Sequence, residues 1–70
     1  MERTPVTSTT LKSVGYDPQT QTLELEFDSG SVYQYDNVPP EVYQGLLEAD
    51  SLGRYFNENI DKSYNYRRMA

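Results

Sequence analysis

One stretch decides the fold of this 70-residue chain, Thr22-Leu23-Glu24-Leu25-Glu26-Phe27-Asp28-Ser29-Gly30-Ser31-Val32-Tyr33-Gln34-Tyr35. From Thr22 to Asp28 polar and apolar side chains alternate strictly, which is the period of a half-buried strand. The apolar set therefore faces a core, and the carboxylates between them are expected to face water. A glycine-containing turn and a tyrosine-rich run follow, so the stretch predicts a β-hairpin.

The length of the hairpin loop determines which way Tyr33 and Tyr35 point. A three-residue loop, a type I turn with Gly30 in the left-handed conformation, pairs Leu25 with Tyr33 and Leu23 with Tyr35. Both tyrosines then lie over the core. A two-residue loop instead pairs Phe27 with Val32 and turns the tyrosines to the outer face. The three-residue loop is favoured, because the alternative would bury Gln34 and Asp36.

A further strand precedes this hairpin, over Leu11 to Tyr16. Asp17-Pro18-Gln19-Thr20 is a typical turn, with Asp at its first position and Pro at its second. A four-residue loop there pairs Tyr16 with Gln21 and places Val14 on the core side. The same register brings Lys12 to the core face, unless a bulge turns it away.

After the third strand the period becomes helical. Residues 38–49 predict one helix, with Pro in its first turn, and Val42, Tyr43, Leu46 and Leu47 on its apolar face. Gly45 in its interior suggests close approach to the sheet. A second, short helix follows over Leu52 to Asn59. The predicted fold class is α+β, a three-stranded antiparallel meander followed by two short helices packed on one face (β-β-β-α-α). Residues 1–9 form a flexible N-terminal arm, residues 10–60 the domain, and residues 61–70 a basic, aromatic C-terminal tail.

Composition excludes several classes of site. The chain has no Cys and no His, so it offers no disulfide, thiol nucleophile, imidazole base or zinc site of the usual kind. The acidic row of the second strand lacks the loop and carbonyl pattern of a calcium site. We therefore expect a protein that is not an enzyme and that uses no cofactor or metal. No apolar leader or membrane-length segment is visible, and we expect a cytoplasmic protein with no membrane partner.

Charge is distributed unevenly. Residues 1–50 carry two basic and nine acidic side chains, a net charge of −7, whereas residues 51–70 carry four basic and two acidic ones, a net charge of +2. Aromatic and cationic residues are interleaved from Lys62 to Arg68, a combination that favours single-stranded nucleic acid. The RNA-binding candidates are Arg54, Lys62, Tyr64, Tyr66, Arg67 and Arg68. The structural alternative is that Tyr64 and Tyr66 pin the tail to the edge of the sheet.

The whole series of spacings resembles a KTSC domain, over roughly residues 7–66. The residues that carry this likeness are Leu23, Leu25, Phe27, Gly30, Tyr33, Tyr35, Val38, Pro39, Tyr43, Leu46, Leu47, Gly53, Tyr55, Phe56, Asn57 and Ile60. The family's Tyr-x-Tyr motif matches Tyr33-Gln34-Tyr35. The family takes its name from a domain at the C-terminus of some lysyl-tRNA synthetases, and it also occurs as a small free-standing bacterial protein.

The resemblance implies a module of unestablished function for which RNA binding is proposed. The expected partner is RNA, either tRNA or a single strand, and no small-molecule substrate is implied. The alternative is a protein–protein interaction module that uses the outer sheet face or an exposed strand edge. Because the three-residue loop turns Tyr33 and Tyr35 inward, these two residues are core candidates more than site candidates.

Overall fold

The computed structural model describes residues 1–70 and has one antiparallel sheet with two helices. The elements in chain order are β1 (Thr4–Pro5), β2 (Leu11–Asp17), β3 (Thr22–Phe27), β4 (Val32–Tyr35), α1 (Pro40–Glu48), α2 (Leu52–Asn59) and β5 (Tyr66–Arg68). The strands lie in the order β1-β2-β3-β4-β5. The fold is therefore α+β, as predicted. Neither helix has the length and apolar character needed to cross a membrane.

The prediction of three strands was wrong, because the sheet has five. Both additional strands come from segments assigned to the arm and the tail. β1 pairs with β2, and β5 pairs with β4, so each forms an edge of the sheet. Their two and three residues are all exposed. Backbone hydrogen bonds hold such strands, and a few exposed residues give no alternating pattern that would reveal them.

The β3–β4 hairpin has the predicted three-residue loop. Leu25 pairs with Tyr33 and Leu23 pairs with Tyr35. Gly30 has a φ of +96°, a conformation that side chains disfavour, and its N–H donates to the carbonyl of Phe27. This register places both tyrosines on the side of the sheet that the helices cover.

The β2–β3 hairpin differs from its predicted register by two residues. Tyr16 pairs with Leu23 rather than with Gln21, and Val14 pairs with Leu25. A shift of two keeps every side chain on its expected face, so Val14 is still fully buried. The pairing is interrupted between Leu11 and Ser13. This bulge leaves Lys12 exposed and Leu11 buried, which was the alternative left open by the sequence.

The core lies between the sheet and the two helices. Its nine buried residues are Leu11, Val14, Leu23, Leu25, Tyr35, Val38, Leu46, Phe56 and Ile60. α1 begins at Pro40, two residues later than predicted, because the residue before a proline disfavours the helical conformation. Leu47 was predicted to face the core but is 41% exposed, since the buried face of α1 centres on Leu46.

Close contact between the helices depends on Gly45. A Cβ at this position would lie 2.8 Å from the ring of Tyr55 in α2. The predicted role for Gly45, approach to the sheet, is therefore corrected to approach between helices. Ser51 caps α2, and its hydroxyl accepts a hydrogen bond of 3.2 Å from the N–H of Arg54.

The outer face of the sheet was predicted to expose its carboxylates, but Glu24 is only 7% exposed. The N-terminal segment crosses over it, and Arg3 Nη1 lies 2.6 Å from Glu24 Oε2. Gln34 Nε2 donates to the other carboxylate oxygen at 2.8 Å. Gly15 makes the crossing possible, because a Cβ there would lie 2.6 Å from the carbonyl oxygen of Glu2. β1 and this partly buried ion pair therefore depend on each other.

Candidate functional site

The helical face of the sheet carries an open groove beside α2. Its volume is about 350 Å³. Strands β3, β4 and β5, the end of α2 and the two connecting loops supply its walls. The lining residues are Phe27, Ser29, Ser31, Tyr33, Tyr35, Phe56, Asp61 and Tyr66. Five aromatic rings in one groove make it the most strongly aromatic surface of the molecule.

The rings are arranged as a connected cluster. Strand pairing sets Tyr66 opposite Tyr35, so both lie on the same face of the sheet. The centroid of the Tyr66 ring lies 5.6 Å from that of Tyr33 and 5.7 Å from that of Tyr35. Phe56 meets Tyr35 edge to face at 5.8 Å. These are the distances of attractive aromatic pairs, so the rings stabilise one another.

Exposure divides the cluster into a support and a contact surface. Tyr35 is 3% exposed and belongs to the core, whereas Tyr66 is 59% exposed. Tyr33 is half-buried and lies between them. The buried rings therefore support the cluster from below, and Tyr66 is its most accessible member.

One carboxylate faces this aromatic surface. Asp61 follows α2, and its backbone N–H donates to the carbonyl of Phe56 at 2.9 Å. Burial raises the pKa of Tyr35, and the negative charge of Asp61 raises it further. The Tyr35 hydroxyl, with an ordinary pKa of 10.0, therefore stays protonated to a higher pH than an exposed tyrosine does. At the rim, Arg68 Nη2 donates to Ser31 Oγ at 3.3 Å, so one guanidinium stands beside the groove.

The structure does not bring the six RNA-binding candidates into one patch. Tyr66 lines the groove and Arg68 lies at its rim. Arg67 points to the opposite face of the sheet, where its Nη1 lies 2.9 Å from both carboxylate oxygens of Asp36. Lys62 and Tyr64 line a separate, more polar cleft of about 260 Å³. Arg54 is exposed on α2 and lines neither.

Sequence reasoning did not include Phe27, Phe56 and Asp61 among the site candidates. Phe27 lies on the predicted apolar face of its strand and packs against the core, and Phe56 is a core residue, but both also line the groove. The sequence could have indicated part of this groove, because side chains alternate between the two faces of a strand and the predicted hairpin register places Phe27, Tyr33 and Tyr35 on one face. The missing information was the pairing of β5, which brings Tyr66 to that face.

Comparisons with known proteins identify the fold and its relatives. The family model of the KTSC domain matches residues 7–64. An uncharacterised protein of Stutzerimonas stutzeri is 57% identical over 67 residues, covering 96% of this chain and 93% of that protein. The crystal structure of a KTSC domain protein from Yersinia pestis has a TM-score of 0.96 and 36% identity, covering 99% of this chain and 97% of the other. A lysine–tRNA ligase of Nostoc punctiforme is 43% identical over 60 residues, which cover 86% of this chain but 11% of the ligase.

Proposed function

The chain belongs to the KTSC domain family, and on that premise we propose that it is a non-enzymatic module that binds single-stranded segments of RNA. The groove between α2 and β5 is the proposed contact surface. A similar segment forms part of a lysine–tRNA ligase of Nostoc punctiforme, an enzyme whose name gives tRNA as its substrate. That association supports the proposal, and the groove supplies a mechanism for it.

The single observation that carries the proposal is the exposed ring of Tyr66 on a sheet surface, backed by Tyr33 and Tyr35. Unpaired bases stack on aromatic side chains presented by a sheet, and each such contact contributes about 1–3 kcal/mol. Tyr66 is 59% exposed, so more than half of this residue is accessible to a base. Arg68 at the rim is placed to meet the phosphate that follows the stacked base.

The charges of the protein determine how strongly we expect it to bind RNA. The net charge of −5 opposes binding of a polyanion, and Arg68 is the cation beside the groove. Arg67 is already paired with Asp36 on the other face. We therefore expect weak RNA binding with a shallow salt dependence. For single strands, the logarithm of the association constant falls by about 0.7 per phosphate contact for each tenfold rise in salt concentration, and Arg68 supplies one such contact.

The test compares Tyr66→Ala with the unaltered protein in binding to a labelled single-stranded RNA at low salt. Loss of one stacking contact should weaken binding by roughly 5- to 150-fold. Because Tyr66 is exposed, the variant should fold normally, and its urea denaturation curve serves as the control. Unchanged affinity in the folded variant would refute the groove as the binding surface.

Neighbouring arginines provide a matched control for charge. Arg68→Ala and Arg67→Ala remove the same charge from the same strand but from opposite faces of the sheet. The groove predicts that Arg68→Ala lowers affinity and reduces the salt slope by about 0.7, whereas Arg67→Ala leaves binding nearly unchanged. Equal losses in the two variants would indicate diffuse charge attraction instead of a defined site.

The second candidate function is a protein-interaction module that uses the outer edge of β5. β5 is the last strand of the sheet, so backbone groups on its outer side have no neighbouring strand. An extended peptide can add to such an edge by main-chain hydrogen bonds. This candidate predicts binding that is insensitive to salt and to Tyr66→Ala, which distinguishes it from RNA stacking.

A further inference from the structure

We infer that the groove prefers guanine to the other three bases, because the carboxylate of Asp61 faces the aromatic surface. This inference rests on the proposed function, since it concerns which base the groove accepts when it binds RNA. It assigns a specificity-determining role to a residue that has no partner in the folded chain.

Asp61 is the only charged residue that lines the groove. Its backbone is fixed, because its N–H bonds to α2 and the preceding Ile60 is fully buried. Its side chain forms neither of the two ion pairs of the protein and none of the side-chain hydrogen bonds. Both carboxylate oxygens are therefore free to accept hydrogen bonds from a ligand.

The chemistry of the bases makes this carboxylate selective. Guanine presents two adjacent donors on its Watson–Crick edge, N1–H and N2–H, and one carboxylate can accept both in parallel. Adenine and cytosine each present one amino group beside a ring nitrogen that is itself an acceptor. Uracil presents one N–H between two carbonyl oxygens, which a carboxylate repels. Unpaired bases in single strands are commonly read on this edge.

The cation beside the groove, Arg68, favours a nucleotide over a cationic peptide, although the net charge of −5 acts in the opposite direction. An arginine side chain also carries parallel N–H donors and would suit Asp61. It would, however, approach the guanidinium of Arg68, which lies at the rim with its Nη2 3.3 Å from Ser31 Oγ. A nucleotide places its base against Tyr66 and Asp61 and its phosphate near Arg68, so each charge meets a complementary group.

The test measures the binding of four labelled pentanucleotides, UUXUU with X as G, A, C or U, by fluorescence anisotropy at about 50 mM salt. The strand with G should bind at least about fivefold more tightly than each of the others, the lower limit for a bidentate contact. Asp61→Asn should abolish this preference, because the amide replaces one acceptor by a donor. Asp50→Asn, the same change at an exposed residue that does not line the groove, should preserve it.

Each other outcome has a separate meaning. If the four strands bind equally well to the unaltered protein, guanine preference is refuted and the proposed RNA function stands. A preference that persists in Asp61→Asn refutes the role of Asp61. If no strand binds, the proposed function fails, and the guanine inference fails with it. An arginine-containing peptide that occupies the groove while no strand binds would assign the site to a protein partner.

Discussion

Replacing Tyr35 by Ala should remove the ring that joins the core to the groove. Tyr35 is 3% exposed, and its ring contacts those of Phe56, Tyr33 and Tyr66 at centroid distances of 5.8, 6.5 and 5.7 Å. A buried aromatic residue replaced by Ala lowers the free energy of unfolding by about 3–5 kcal/mol. A chain of this length has a total stability of roughly 4–10 kcal/mol, so the variant should be marginally folded or unfolded.

Urea denaturation monitored by circular dichroism measures this loss, and Tyr66→Ala is the matched control. Tyr66 occupies the paired position on the next strand but is 59% exposed, so its loss should change stability far less. Tyr35→Phe keeps the ring and should retain most of the stability. A loss below about 0.5 kcal/mol for Tyr35→Ala, the usual range for surface substitutions, would refute the inward orientation of the ring.

Three further predictions concern the edges of the sheet and its response to pH. Gly15→Val should displace β1 and lower the free energy of unfolding by about 1–3 kcal/mol, because the new side chain would overlap the Glu2 carbonyl. The N–H of Val6 donates to the carbonyl of Lys12, so displacement of β1 should speed hydrogen exchange at the Val6 amide. Unchanged exchange at Val6 would contradict this prediction. Arg3→Met should lower the free energy of unfolding by about 1–3 kcal/mol by leaving the Glu24 carboxylate short of a donor, whereas a neutral result in urea denaturation would show that the pair contributes no net stability. Burial raises the pKa of Tyr35 above its ordinary value of 10.0. The contribution of Tyr35 to the free energy of unfolding should therefore be constant below about pH 10. It should fall as the pH rises further, because Tyr35 then ionises in the unfolded chain but stays protonated in the folded one. Urea midpoints between about pH 8 and 11 should show this fall, and a slope unchanged by Tyr35→Phe would argue against it.

The central part of the fold is predictable because its signals are local. The alternation from Thr22 to Asp28 and the glycine at position 30 define the β3–β4 hairpin without any long-range information. Those signals also fix which side of the sheet Tyr33 and Tyr35 occupy. The register of β2 against β3 was wrong by two residues, because the turn residues allow two loop positions that bury the same face.

The edges of the sheet were not predictable from the same signals. β1 depends on the close approach of the Glu2 carbonyl to Gly15 and on the ion pair between Arg3 and Glu24. Arg3 and Glu24 are 21 positions apart in the chain. β5 is held by backbone pairing with β4, in which Tyr35 lies opposite Tyr66, 31 positions further along the chain. Such contacts appear only once the whole chain is folded, and no spacing within either segment encodes them.

The candidate site was predictable in composition but not in arrangement. The interleaved cations and tyrosines near the C-terminus drew attention to Tyr66 and Arg68, which lie at the groove. The same pattern suggested that Arg67 would join them, but neighbouring residues of a strand point to opposite faces. Asp61 carried no signal of its own, because its significance comes from the rings that surround it.

An amide NMR titration of the intact chain with a short single-stranded RNA, at about 50 and 200 mM salt, tests the central claim most directly. We expect shifts at Tyr33, Tyr35, Asp61, Tyr66 and Arg68, with a modest reduction at the higher salt. No shifts at the lower salt, or shifts confined to the outer face around Glu24 and Arg67, would contradict RNA binding in the aromatic groove.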